Sequence, residues 1–146
     1  MVPTVTKVFV LLAAFFFNIF KEALAQDDIK TIVAGAGMQC MAEHPLTMQE
    51  MHMIRNQQLP ETAYCLIDCT LKKSQMTDSE GKLDLVHVRD LTQQLFANDP
   101  DRLQHANALI DACSHVNDEP AADGCARAAL IFDCVSEQAQ QHGFDM

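Results

Sequence analysis

Apolar residues recur at helical intervals along most of this chain, and the polar positions between them mark where each helix starts and stops. The first helix is expected to start near Asp27-Asp28, where two acids suit a helix N-terminus, with Ile32, Val33 and Ala36 on its apolar side. Gly35 and Gly37 weaken it and leave its end open. The second helix has a sharp start signal. Thr47 and Glu50 form a Thr-x-x-Glu capping box, Leu46 and Met51 stand at hydrophobic-staple positions, and Met48, Met51 and Ile54 continue the stripe. The third is expected to begin with Pro60 at its first position and to carry Tyr64, Ile67 and Leu71, ending before the polar loop Thr77-Asp78-Ser79-Glu80-Gly81-Lys82. The fourth carries Leu85, Val88, Leu91 and Leu95 and stops at Asn98. Asp99-Pro100 then opens a fifth with Leu103, Ala106, Ile110 and Cys113 on one side. Pro120 opens the sixth. It carries two apolar stripes, Cys125/Ala128/Phe132/Val135 and Ile131/Cys134, and a helix apolar nearly all round belongs at the centre of a fold. No period-two alternation between hairpin turns competes, so the predicted class is all-α, with about six helices.

The amino-terminal pattern is different in kind. Lys7 precedes an apolar run from Val8 to Phe20, followed by the small-x-small sequence Ala23-Leu24-Ala25. The run is shorter than the roughly 20 residues that span a bilayer. Residues 1–25 therefore read as a cleaved signal peptide, with residues 26–146 as a single secreted domain beginning at Gln26. The full chain carries a formal charge of −10; loss of Lys7, Lys21 and Glu22 makes it −11. That balance opposes binding to nucleic acid or to anionic membrane surfaces. No stable membrane insertion is expected of the secreted part.

Secretion decides what the six cysteines are for. Cys40, Cys65, Cys69, Cys113, Cys125 and Cys134 are separated by 24, 3, 43, 11 and 8 residues. In an oxidising compartment an even number reads as a disulfide framework rather than as redox or zinc ligands. Six cysteines allow 15 pairings. Cys65 and Cys69, at i and i+4, have Cβ atoms about 5–6 Å apart, against the roughly 3.5–4.5 Å that a disulfide wants. Cys125 and Cys134 sit about 13.5 Å apart along one helix and point to opposite sides. Excluding those two bonds leaves 10 pairings, each of which clips the sixth helix to its neighbours from both sides. Crosslinks of this kind stabilise by about 2–4 kcal/mol each. A small helical shell stapled so can keep an apolar cavity open despite its cost of about 24 cal/mol per Å3.

Candidate chemistry is sparse. The histidines have no partnered nucleophile, and no His-Glu-x-x-His, phosphate-cradling glycine loop or paired Cys-x-x-Cys knuckle occurs. No catalytic residue, metal ligand or cofactor is assigned.

The Cys65-x3-Cys69 and Cys125-x8-Cys134 spacings, with a first cysteine far upstream, resemble those of the insect odorant-binding protein family. The segments Cys65-Leu-Ile-Asp-Cys69-Thr-Leu-Lys-Lys73 and Gly81-Lys82-Leu83-Asp84 are similar to that family's third helix and the following loop. The resemblance covers the chain from about Asp27 to its end. It implies the pairing Cys40–Cys69, Cys65–Cys125 and Cys113–Cys134, and a compact six-helix domain around an apolar cavity. It also implies a secreted carrier that takes small hydrophobic molecules, odorants or pheromones, through sensillar lymph or another secretion to a membrane receptor, as a monomer or weak homodimer. In the family the last three helices and the carboxy-terminal tail line the cavity. On that basis the expected ligand contacts are Leu85, Val88, Leu91, Leu95, Ile110, Ala128, Phe132 and Val135, with Met51 and Ile54 from the second helix and Phe144 as a lid. His87, His105, His115 and His142 are candidates for a protonation-driven release. The competing reading is a secreted helical signalling or structural protein without a cavity. A secreted phospholipase is disfavoured because its adjacent His-Asp pair and calcium loop are missing.

Overall fold

The structure, a computed structural model, describes residues 29–144. The signal peptide, the start at Gln26 and the Asp27-Asp28 helix start lie outside the described residues. Among the described residues there are six α-helices: α1 (29–43), α2 (Met48–Arg55), α3 (Glu61–Lys73), α4 (Leu85–Leu95), α5 (Pro100–Cys113) and α6 (Gly124–Gln141). A 3-10 turn, Ser114–Asn117, joins α5 to the last connection. Among the described residues there is no strand, only one isolated bridge between Thr77 and Leu83 that closes the polar loop. No described helix is long and apolar enough to cross a membrane.

The start signals act through their side chains. Thr47 accepts from the Glu50 amide at 3.1 Å while Glu50 accepts from the Thr47 amide at 2.8 Å, so the capping box is complete. Asp84 and Asp99 cap α4 and α5 by accepting from the amides of His87 and Arg102, both at 3.1 Å. One open boundary is fixed and three others differ from expectation. α1 continues through both glycines to residue 43, where its end is tied down by the Cys40–Cys69 bond and by a 2.8 Å ion pair from Lys73 to Glu43. Pro60 is the N-cap of α3, in extended backbone, rather than its first helical residue. α4 ends at Leu95 and not at Asn98. α6 starts at Gly124, four residues after Pro120, because Asp123 is the residue whose carboxylate meets an exposed amide, that of Ala126, at 2.8 Å.

α6 is central. It packs against α3 on one side and α5 on the other, while α4 packs on α5. The disulfides follow the same geometry. Cys65–Cys125 joins α3 to α6, Cys113–Cys134 joins α5 to α6, and Cys40–Cys69 joins α1 to α3. This is the wiring the family resemblance implies. α6 is clipped on opposite sides, as the helical phase of Cys125 and Cys134 requires.

One buried cation organises the connection between α5 and α6. Arg127, 8% exposed, donates through Nη1 to the carbonyls of Val116 at 2.6 Å and Glu119 at 3.0 Å. A charged donor buried among carbonyls fixes the 3-10 turn to α6. The neighbouring Asn117 then clamps the backbone of Leu83, accepting from its amide at 2.7 Å and donating to its carbonyl at 3.0 Å. Gly81 turns that loop at φ +80°. Gly124 lets α3 approach the start of α6: a Cβ at 124 would lie 2.5 Å from a carboxylate oxygen of Asp68 on α3.

Candidate functional site

The helical faces that meet around α6 line an open apolar cavity of about 560 Å3. α3 contributes Ile67 and Leu71, one turn apart; the loop contributes Met76 and Leu83. α4 turns Val88, Thr92 and Leu95 inward at intervals of four and three, followed by its C-cap Phe96. α5 adds Ala106, Leu109, Ile110 and Cys113, and α6 adds Ile131, Phe132, Val135 and Ala139. Phe144 completes the wall. Tyr64 supports Phe132 from behind in an edge-on contact, ring centres 6.3 Å apart.

The chemistry of this wall is nearly uniform. No lining residue carries a charge. The Thr92 hydroxyl on the wall donates to the carbonyl of Val88 at 2.7 Å within its own helix, and Cys113 is locked in its disulfide. A molecule inside would gain from burial of apolar surface, about 25 cal/mol per Å2. A polar solute would lose its hydration with little in return.

The tail reaches the cavity through a specific turn. After α6, Gly143 adopts φ +73°. The Phe144 amide donates to the carbonyl of Ala139 at 2.9 Å and the Gly143 amide to that of Gln140 at 3.4 Å. That pair of bonds is a Schellman motif, which brings the residue after the glycine back onto the last turn of the helix. Phe144 thereby faces Phe96, ring centres 6.1 Å apart, with the Arg102 guanidinium 6.0 Å from its ring centre. Beside it, His142 and His105 bring their Nδ1 atoms within 3.1 Å.

Of the expected contacts, Val88, Leu95, Ile110, Phe132, Val135 and Phe144 come together on this wall. Met51, Ile54, Leu85, Leu91 and Ala128 do not. α2 buries none of its residues, and Met51 is 39% exposed, so its stripe does not reach the cavity. Leu85 sits at the first position of α4, off the inward Val88/Thr92/Leu95 face. Ala128 is buried without lining the cavity. Leu91 faces a second hollow of about 220 Å3, bounded also by α1 and by the residues that follow α3. Among the residues not foreseen, Leu71, Ala106, Leu109, Ile131 and Ala139 follow the helical periodicity of those that were. Met76, Leu83 and Phe96 come from connections, where periodicity carries no signal.

Outside the cavity the resolved electrostatic shifts concern surface anchors. Thr62 donates to Glu50 at 2.6 Å and, with the Thr47 amide, holds that carboxyl below its ordinary range. The Lys73 ammonium does the same to Glu43, by hydrogen bond and by charge. Glu43, His44 and Cys69 also lie close together, but Cys69 is spent in a disulfide and offers no thiolate to a metal.

Residues 22–138 match the model of the PBP/GOBP family. The chain belongs to this family, that of the insect odorant-binding proteins. Two Drosophila melanogaster members resemble it along most of its length. General odorant-binding protein 28a is 29% identical over 147 residues, 97% of this chain and 96% of its own. General odorant-binding protein 19d is 28% identical over 110 residues, 74% of this chain and 72% of its own. The solved structure of the Drosophila odorant-binding protein OBP28a superposes with a TM-score of 0.62 at 27% identity, covering 86% of this chain and 98% of that one. A fatty acid binding protein, OBP56a, from the oral disk of the blowfly Phormia regina shares the fold. Its TM-score is 0.56 at 16% identity, over 77% of this chain and 92% of its own.

Proposed function

We propose that this odorant-binding protein is a secreted carrier that holds one small hydrophobic molecule in the cavity around α6 and moves it through an aqueous secretion to a membrane receptor. The observation that carries this reading is the cavity wall itself: apolar side chains from four helices, with the Thr92 hydroxyl already satisfied. Such a wall selects by shape and apolar area and sets no charged group against the cargo. Family membership supports the carrier role, and the fatty acid binding named for the blowfly relative is compatible with an elongated apolar cargo. Secretion rests on the signal-peptide pattern of residues 1–25, and a monomer or weak homodimer suffices because the cavity lies within one chain.

Phe144 serves as the lid. It touches the wall residue Phe96, and its backbone hangs on α6 by the Schellman bonds.

The test is titration with N-phenylnaphthylamine, whose fluorescence rises in apolar surroundings. Saturable, displaceable binding in the micromolar range is expected, weakened by Phe144→Ala. Absence of saturable binding would instead favour a signalling or structural protein without a ligand.

A further inference from the structure

The contact between His105 and His142 has no part in the cavity's chemistry. His105 is exposed on α5, and His142 is the half-buried C-cap of α6, 37 residues further on. Their Nδ1 atoms stand 3.1 Å apart and their ring centres 5.4 Å apart. Two imidazoles so placed share one proton, one ring donating and the other accepting. The same pair of nitrogens can share a metal ion instead. Imidazole nitrogens bind Zn2+ at about 2.0–2.1 Å, so two of them on one ion lie about 2.9–3.4 Å from each other at coordination angles of about 90–110°. The observed 3.1 Å falls within that span. The ring centres put the two nitrogens nearly in line, so the rings turn slightly to aim at an ion beside that line, and the exposed His105 has room to do so.

The surroundings suit a cation. Asp101 stands one turn before His105 in the same helical column and adds negative charge there. Arg102 is the opposing charge, and it is paired with Asp99 at 3.9 Å. No third His, Cys, Asp or Glu ligand atom joins the pair among the described residues, so water completes the coordination. The position in the fold gives the pair its meaning. His105 lies eight residues before Cys113, and His142 eight residues after Cys134, its disulfide partner. Both therefore stand about 12 Å from that disulfide, in the same direction along the antiparallel helices α5 and α6. Between the two crossing points lie Ala106, Ile110, Val135 and Ala139 of the cavity wall.

We propose that His105 and His142 bind a divalent transition metal, Cu2+ or Zn2+, as a reversible crosslink at the tail end of the α5–α6 wall. The disulfide closes the other end permanently. Both rings then carry their proton on Nε2, and Cu2+ binds more tightly than Zn2+. The ion fixes His142 and, two residues on, the turn that carries Phe144. The site lies outside the cavity and does not depend on the cavity holding cargo.

Calorimetric titration of the chelator-treated secreted chain with Cu2+ and with Zn2+ tests this. One ion per chain at micromolar strength is expected, Cu2+ the tighter. His105→Gln and His142→Gln should each weaken binding about tenfold or more. His115→Gln, on the 3-10 turn, should leave it unchanged. Zn2+ should raise the thermal midpoint of the unmutated protein and of His115→Gln, but not that of the other two variants. Traces of paramagnetic Cu2+ should broaden the NMR signals of the His105, His142 and Phe144 rings before those of His44, His52, His87 or His115. The inference is overturned if neither ion binds, if either His105→Gln or His142→Gln leaves the affinity unchanged, or if the broadening centres on another histidine.

Discussion

The α3–α6 half of the molecule and the α1–α2 half are built from similar amphipathic helices, yet only the first lines the larger apolar cavity. α6 buries Arg127, Ala128, Ile131 and Ala139, packs against α3 and α5 and is held by two disulfides, so the faces that turn inward have opposing faces to meet. α2 has a complete capping box but no buried residue, and Met48 is 83% exposed. α1 likewise leaves Met38 and Met41 exposed. An apolar stripe says that a helix can bury a face; what stands opposite decides whether it does. α2 is attached through polar contacts such as Thr62–Glu50, and α1 through one disulfide and the Lys73–Glu43 pair.

The disulfides separate the halves most strongly. Cys113 and Cys134 close a loop of sequence separation 21, Cys40 and Cys69 one of 29, so chain entropy assigns both bonds nearly equal stability, about 3 kcal/mol. Double substitution to serine or alanine should therefore lower the denaturation midpoint comparably in either case. Loss of fluorophore binding should follow loss of Cys113–Cys134, whose α5–α6 clip frames the cavity, far more than loss of Cys40–Cys69. Equal losses of binding would break the comparison.

Arg127→Met comes next. Two carbonyls, of Val116 and Glu119, lose a charged donor, at a cost of about 2–3 kcal/mol in urea unfolding. An unchanged midpoint would mean that the 3-10 turn is held by Asn117 alone. Of similar diagnostic weight, Val135→Lys should abolish fluorophore binding, while Met51→Lys on α2 should leave the dissociation constant within about twofold. The smallest effect concerns pH. The folded Glu50 carboxyl titrates below its ordinary value of 4.5, so the stabilisation it lends α2 is complete above that value. It is lost as pH falls through the lowered one. Thr62→Val should return the Glu50 titration, followed by carbon-detected NMR, toward its ordinary range without touching the cavity. A titration unchanged by that substitution would remove Thr62 as the cause.

Much of this fold was legible in the residues. The helix order followed from periodicity, Thr47-x-x-Glu50 and Asp99-Pro100 gave sharp starts, and the opposite phases of Cys125 and Cys134 placed α6 at the centre. Pro60 and Pro120 misled by one and four residues because proline fixes φ without deciding which amide lacks a partner; the Asp123 carboxylate decides that for α6. On the cavity wall, Val88, Leu95, Ile110, Phe132 and Val135 were readable as helical faces. Met51 and Ile54 could not be told from wall residues, since their periodicity is the same and only the missing opposite face differs. Met76 and Leu83 enter the wall through a loop shaped by Asn117 and Gly81, and Phe96 through the turn that ends α4, arrangements with no local sequence signature.

The central claim, that cargo lies within α3–α6, is tested most directly by a crystal structure of the secreted protein soaked with a long-chain primary alcohol. Continuous density bounded by Val88, Ile110, Phe132 and Phe144 is the predicted result. An empty cavity with density instead along the exposed methionines of α1 and α2 would contradict it.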